Sequence, residues 1–394
     1  MRLVVLLTLL FVSGPLSAQT LREALEQAWL RHPAAQAREA RAAEIEGKRV
    51  ALGALVPEPP AFSIAHRTDQ FNRNIGRREW EAELDVPVWL PGENARRLGV
   101  VDAEQAALET RIAAAKWKLA GEVREAYWDA RAAVLELALA SRKVEEASLL
   151  AADVERRFKA GELARVDLTQ AQAAEQAARA QLAEAEGRAF RVRQAFAVLT
   201  GFEQIADAAE PEAPAAALDA HPQLAGLLRN VSLAHAKLIQ VSRNRRDFPE
   251  ISFGVTREHG EFAEPFSTTL RTRIRIPFAT EARNRPRIAS ANVELVEAQA
   301  EYAYARRKLE SEIERARREL EQARSVERFV AARFRLAEDA QRLYAKAFTL
   351  GELDFPARLR SENERFDAQL SHQRAGLESS RAMSRLNQTQ GLLP

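Results

Sequence analysis

The chain contains no cysteine, which excludes disulfides, thiolate metal sites and a cysteine nucleophile. Methionine occurs only as Met1 and Met383, so no soft copper-binding cluster can form. The six histidines are scattered, and none has the helical-spacing partner of a metal-binding site. The sequence therefore offers no metal site. It has no Ser/His/Asp order, phosphate loop or pair of catalytic carboxylates, so it predicts no catalytic residue, no cofactor and no enzyme. Neither sign of charge is in surplus. The net charge of +2 gives no electrostatic case for nucleic acid. No apolar run reaches the ~20 residues that a membrane-spanning helix requires.

What is present begins with a short apolar leader. Arg2 supplies a positive start, Leu3 to Val12 an apolar core, and Gly14-Pro15 a break. Leu16-Ser17-Ala18 forms a small-residue cleavage site before Gln19, so residues 1–18 are predicted to be a secretory signal. No cysteine follows that site to carry a lipoprotein anchor. The rest is dense in Ala, Glu, Arg and Leu, a composition of long helices and coiled coils.

The chain also occurs twice. A shift of about 190 residues brings His32-Pro33 near His221-Pro222 and Val86-Pro87-Val88 onto Ile276-Pro277-Phe278. The same shift brings Gly161-Glu162-Leu163 onto Gly351-Glu352-Leu353. The predicted organisation is a first repeat over 19–201, a linker over 202–218 and a second repeat over 219–394. Solenoid units run to only about 20–50 residues, so this is a duplicated domain. Each half reads as helix, two strands, very long helix, Gly turn and long helix. The turns fall at 160–164 and 350–354.

Strands are expected at about 60–70, 78–90, 250–258 and 267–278. In the second of these, Trp80, Ala82, Leu84, Val86 and Val88 alternate with Glu79, Glu81, Glu83 and Asp85. In the fourth, Leu270, Thr272, Ile274, Ile276 and Phe278 alternate with Arg271, Arg273 and Arg275. Such period-two alternation marks strands with one apolar and one polar face. Isolated hairpins are marginal in water. The pattern instead predicts a transmembrane β-barrel wall, with Trp80, Leu84, Val86, Ile274 and Ile276 toward lipid. The acidic row of one repeat and the basic row of the other then face the lumen and can pair. Four strands cannot close, because the smallest membrane barrels have about eight and open edges are not tolerated in lipid. An oligomer follows, of two copies or of three.

After Pro91-Gly92 the chain runs to about Ala160 without a proline, roughly 100 Å of helix at ~1.5 Å per residue. The return helix from Leu163 to about Leu199 is roughly 55 Å long. The second repeat is expected to do the same from about Pro286 to Leu350 and from Leu353 to about Gln388. Apolar residues at three- and four-residue spacing, such as Val123, Tyr127, Ala130 and Val134, mark a coiled-coil face.

The segment from Phe158 to Gln172, FKAGELARVDLTQAQ, is similar to the tip turn and following helix start of the TolC-type outer-membrane efflux proteins. Val86-Pro87-Val88-Trp89 followed by Pro91-Gly92-Glu93 resembles that family's strand-to-helix junction. With the duplication, the resemblance covers essentially the whole chain beyond the leader. Its short form without a lipid anchor is nearest the branch serving cation-efflux systems. The resemblance implies a mainly α fold with a transmembrane β-barrel portion, built from a duplicated β-β-α-α repeat. It implies a homotrimer with a twelve-stranded barrel in a Gram-negative outer membrane and a helical barrel in the periplasm. It implies as partners a periplasmic adaptor and an inner-membrane pump of the resistance-nodulation-division or ABC type. The adaptor would meet the turns Gly161-Glu162-Leu163 and Gly351-Glu352-Leu353. Relatives often carry an acidic constriction early in the last helix; Ala357 and Arg360 stand there instead. Asp354, Arg358 and Glu362, with Asp167, are the alternative candidates for a mixed-charge gate. An exit duct for type I protein secretion shares the fold, and a purely structural periplasmic scaffold is the third reading. The exported substrate is not legible.

Overall fold

The computed structural model of the chain describes residues 20–205, 210–214 and 217–394. The predicted signal at 1–18 lies outside the described residues. The chain forms two compact units. One takes the chain up to Ala35 with Ala115–Leu218 and Leu309–Pro394; the other takes Gln36–Ala114 and Asp219–Lys308. Each unit draws on both halves of the sequence.

In the second unit β1 (Ala61–Thr68), β2 (Arg78–Pro87), β3 (Glu250–His259) and β4 (Ser267–Arg275) form one antiparallel sheet in that order. The register carries Phe62 beside Leu84, Leu84 beside Phe253 and Phe253 beside Thr272. The next apolar row is Ile64, Ala82, Val255 and Leu270. β2 and β4 end before the alternation does. Pro87 and Pro277 have no N–H to donate to a ladder; β4 ends before Pro277, and β2 ends at Pro87 with Val88 N still donating to Pro249 O at 2.8 Å just beyond it.

Three helices precede the sheet: α1 (Leu21–Arg31), α2 (Pro33–Gln36) and α3 (Arg38–Leu52). Those that follow are α4 (Glu93–Lys159), α5 (Arg165–Thr200), α6 (Pro222–Arg243), α7 (Glu281–Thr349) and α8 (Phe355–Thr389). α4 and α7 run for 67 and 69 residues. α7 begins before the proline expected to start it, so Pro286 lies inside its second turn. The duplicated histidines do the same local work. His32 Nδ1 accepts from Ala34 N at 3.2 Å, and His221 Nδ1 accepts from Gln223 N at 3.2 Å to cap α6.

The first unit is built on small residues. Leu21, Leu25 and Ala28 of α1 pack on Leu119, Val123 and Tyr127 of α4 and Phe196 of α5. Thr20 and Glu23 form a reciprocal cap at the start of α1. Ala120, Ala130, Ala178, Ala189 and Ala368 are almost wholly buried, which lets neighbouring helices approach closely. A buried ion pair fixes the stretch between the repeats. Arg124 Nη2 meets Glu210 Oε1 at 2.7 Å, with side chains only 3% and 9% exposed. Ser384 donates to the same carboxylate, and Arg124 Nη1 also donates to Leu392 O at 2.9 Å. No helix among the described residues is long and apolar enough to cross a membrane.

Candidate functional site

The sheet has two chemically opposite faces. On one, Phe62, Ile64, Leu84, Phe253, Leu270 and Ile274 are all exposed. Val86 is half-buried on the same face. Trp80 is 51% exposed and stacks on His66 at 4.0 Å beside the turn. Ile276 lies just beyond β4 and is half-exposed. Trp89 instead packs inside its unit, donating to Ala54 O at 3.0 Å and meeting Phe248 edge-on.

On the opposite face, acids of β2 reach bases of β4 across β3. Arg271 Nη1 lies 2.6 Å from Glu81 and Arg273 Nη1 3.2 Å from Glu83. Arg275 meets Glu250 at 3.3 Å, and Glu79 pairs with Arg67 at 2.8 Å. Asp85 accepts from Ser252. The strand between them presents only Ser252, Gly254 and Thr256, all buried beneath the bridging side chains. A Cβ on Gly254 would sit 3.8 Å from Arg271 Cβ and 3.9 Å from Glu83 Cγ, so a longer side chain there would part the charges. The sequence marks this strand by the alternation of Ile251, Phe253 and Val255 with Ser252, Gly254 and Thr256; that its small face lies between the acidic and basic rows is set by the strand order. Pairs this exposed contribute about 0–1 kcal/mol each. Their larger effect is to leave this face polar yet nearly neutral.

The two helical turns have the same geometry. Gly161 and Gly351 sit at φ +81° and +79°, a conformation that favours glycine. Glu162 N closes on Arg157 O at 2.9 Å, and Glu352 N on Ala347 O at 2.9 Å. Glu162 and Glu352 are exposed, and Leu353 is 37% exposed. Leu163 is half-buried against Val154, Phe348 and Phe355, in a cluster that joins α4, α5, α7 and α8. The two phenylalanines that anchor it were missed by the sequence reading.

The four gate candidates lie around this cluster with other partners. Asp167 accepts from Ala164 N at 3.1 Å at the start of α5, and Asp354 accepts from Ala357 N at 2.9 Å at the start of α8. The Arg358 guanidinium lies 4.9 Å over the Phe348 ring, with Arg157 5.1 Å from the same ring. Glu362 accepts from Gln341 at 2.8 Å and stands 3.7 Å from Arg365. No ion pair joins Asp354, Arg358 and Glu362 to one another among the described residues. Beside them is a cavity of about 490 Å³, lined in part by Lys143, Glu146, Arg342, Arg358 and Phe366. Burial pushes the Glu146 carboxyl up, opposed by its Arg365 partner. No group of ligating side chains that could hold a metal occurs among the described residues.

A four-stranded sheet with one apolar face, together with two hairpins of very long helices, is a fold shared with solved outer-membrane channels. The outer membrane protein VceC of Vibrio cholerae aligns with a TM-score of 0.75 at 15% identity, over 94% of this chain and 96% of that one. CusC aligns with a TM-score of 0.75 at 14% identity, over 95% and 92%. The Campylobacter jejuni CmeC outer membrane channel aligns with a TM-score of 0.73 at 15% identity, over 94% and 85%. No protein-family model and no curated protein sequence matches the chain.

Proposed function

We propose that this protein is the passive exit duct of a tripartite efflux system in a Gram-negative outer membrane. Three copies close their four-stranded sheets edge to edge into one twelve-stranded barrel, with the apolar face to lipid and the paired Glu/Arg face to the lumen. The helical hairpins lie in the periplasm. A periplasmic adaptor, itself coupled to an inner-membrane pump, docks at the Gly-Glu-Leu turns. Asp167, Asp354, Arg358 and Glu362 gate that end. The chain acts as a conduit and not as an enzyme; the solved proteins of its fold include outer-membrane channels.

The single observation that carries this reading is the exposed apolar face of a sheet with two free edges. Phe62 and Ile64 are each 66% exposed and Leu270 81%. Such a face is costly in water, and such edges are costly in lipid unless several copies close the barrel. The mature chain is expected to require detergent and to have the mass of three copies in it. A stable monomer, or a protein soluble without detergent, would refute the duct.

A further inference from the structure

Two arginine-rich segments meet at one end of the sheet. Arg243-Asn244-Arg245-Arg246 precedes β3, and Arg283-Asn284-Arg285-Pro286-Arg287 follows β4. The first residue of β3 pairs with the last of β4, Glu250 with Arg275, so the topology brings the segments together. Two asparagines hold them. Buried Asn284 donates to Arg245 O at 2.7 Å, and Asn244 accepts from Arg96 Nε at 2.8 Å. Two of the arginines are locally engaged: Arg283 with Asp247 at 2.7 Å, and Arg245 with Ser242 O at 2.9 Å. Arg243, Arg246, Arg285 and Arg287 are exposed and have no acidic partner among the described residues.

The charge is one-sided. The four segments that flank the sheet at this end, 53–60, 88–97, 243–249 and 276–287, carry eight arginines against four acids, whereas the turns at the other end, 69–77 and 260–266, carry two arginines against three acids. Like charges gathered this closely repel unless a counter-charge joins them. The polar-face arginines Arg271, Arg273 and Arg275 already have theirs in Glu81, Glu83 and Glu250. The other four have no such partner among the described residues: Arg246 and Arg287 share a pocket lining with Glu58, Glu93, Asp247 and Glu250 but form no ion pair with them, and Arg243 and Arg285 form none either. Ile276 and Phe278, in the same segment as the second cluster, are 50% and 88% exposed. Exposed apolar residues followed along the chain by exposed arginines is the pattern of a bilayer surface. A guanidinium fork suits a phosphate diester.

We propose that Arg243, Arg246, Arg285 and Arg287 bind the headgroups of anionic phospholipids in the leaflet on the helix side of the sheet. The proposal rests on the membrane-spanning reading above. The experiment uses the full mature oligomer in bilayers of phosphatidylcholine with and without phosphatidylglycerol. Lipid retained on release is counted by native mass spectrometry. The protein is expected to retain phosphatidylglycerol at least tenfold over phosphatidylcholine. The variant carrying Arg243→Gln, Arg246→Gln, Arg285→Gln and Arg287→Gln loses that preference, and the matching Arg→Lys variant keeps most of it. Arg271→Gln with Arg273→Gln leaves it unchanged.

Equal retention of both lipids, or a preference that survives the fourfold Gln variant, overturns the proposal. So does displacement of phosphatidylglycerol by equimolar glycerol phosphate, which would make the ligand a free phosphate. A change in anion selectivity across planar bilayers without a change in lipid retention also overturns it, by placing the arginines in the lumen. Failure to enter either bilayer would instead defeat the membrane reading itself.

Discussion

Glu83 and Leu84 are neighbours in sequence and opposites in environment. Glu83 is bridged to Arg273 on the polar face, while Leu84 stands 40% exposed on the apolar one. If that apolar face meets lipid, an arginine there costs roughly 2–4 kcal/mol near the midplane, while polar-face changes cost little. Leu84→Arg and Ile274→Arg are therefore expected to reduce assembled protein in outer membranes. Glu83→Gln and Arg273→Gln should leave the yield intact. Equal yields for both sets would reverse the assignment of faces. His221 makes a different prediction. Burial holds its pKa down at about 4, and its unprotonated Nδ1 caps α6. The folded state therefore favours the neutral ring. Above pH ~6.5 the contribution is complete, and between pH ~6.5 and ~4 the unfolded chain takes up the proton first. Stability should fall as pH drops through that window, by up to ~3 kcal/mol. Thermal unfolding followed from pH 7 to 4 measures it. His221→Asn keeps a cap without a titrating group and should flatten the slope.

At the scale of elements, the helical turns separate a folding role from a docking role. Leu163 is part of the cluster around Phe348 and Phe355, so Leu163→Asp is expected to loosen the hairpin pair as well as any docking surface. Glu162, Glu352 and Leu353 are exposed, and changing them tests docking alone. Glu162→Lys with Glu352→Lys and Leu353→Asp should shift stability by less than ~0.5 kcal/mol, as exposed substitutions usually do. The same variant should lose adaptor cross-linking and export. Undiminished cross-linking would place docking elsewhere. The charged residues nearby need the same care. Asp354→Ala removes the cap of α8, a loss of about 1 kcal/mol, whatever it does to conduction.

At the scale of the molecule, the buried pair of Arg124 and Glu210 ties the stretch between the repeats to α4, α8 and the residues after it. Glu210→Ala strands a buried guanidinium and is expected to destabilise the fold by roughly 3–5 kcal/mol. Arg124→Met combined with Glu210→Leu should cost much less, because neither charge is then left alone. Chemical denaturation of the three proteins distinguishes the outcomes. A Glu210→Ala variant as stable as the parent would show that water reaches the pair.

The sequence by itself determined much of this architecture, because the governing signals are local. Alternation of Glu81, Glu83 and Asp85 with Ala82, Leu84 and Val86 makes a two-faced strand whatever surrounds it. The Gly-Glu-Leu turns and the long proline-free runs mark helical hairpins through backbone preference alone. What the tertiary structure decided depends on residues far apart in the chain. Register brought Arg271 to Glu81 across a strand of small residues. Packing drew Leu163 against the cluster that holds Phe348 and Phe355, and Gln341 rather than Arg358 to Glu362. Topology joined two arginine segments about 40 residues apart at one sheet end. These pairings have no sequence period, because each depends on which strand or helix lies alongside, and only the folded chain fixes that.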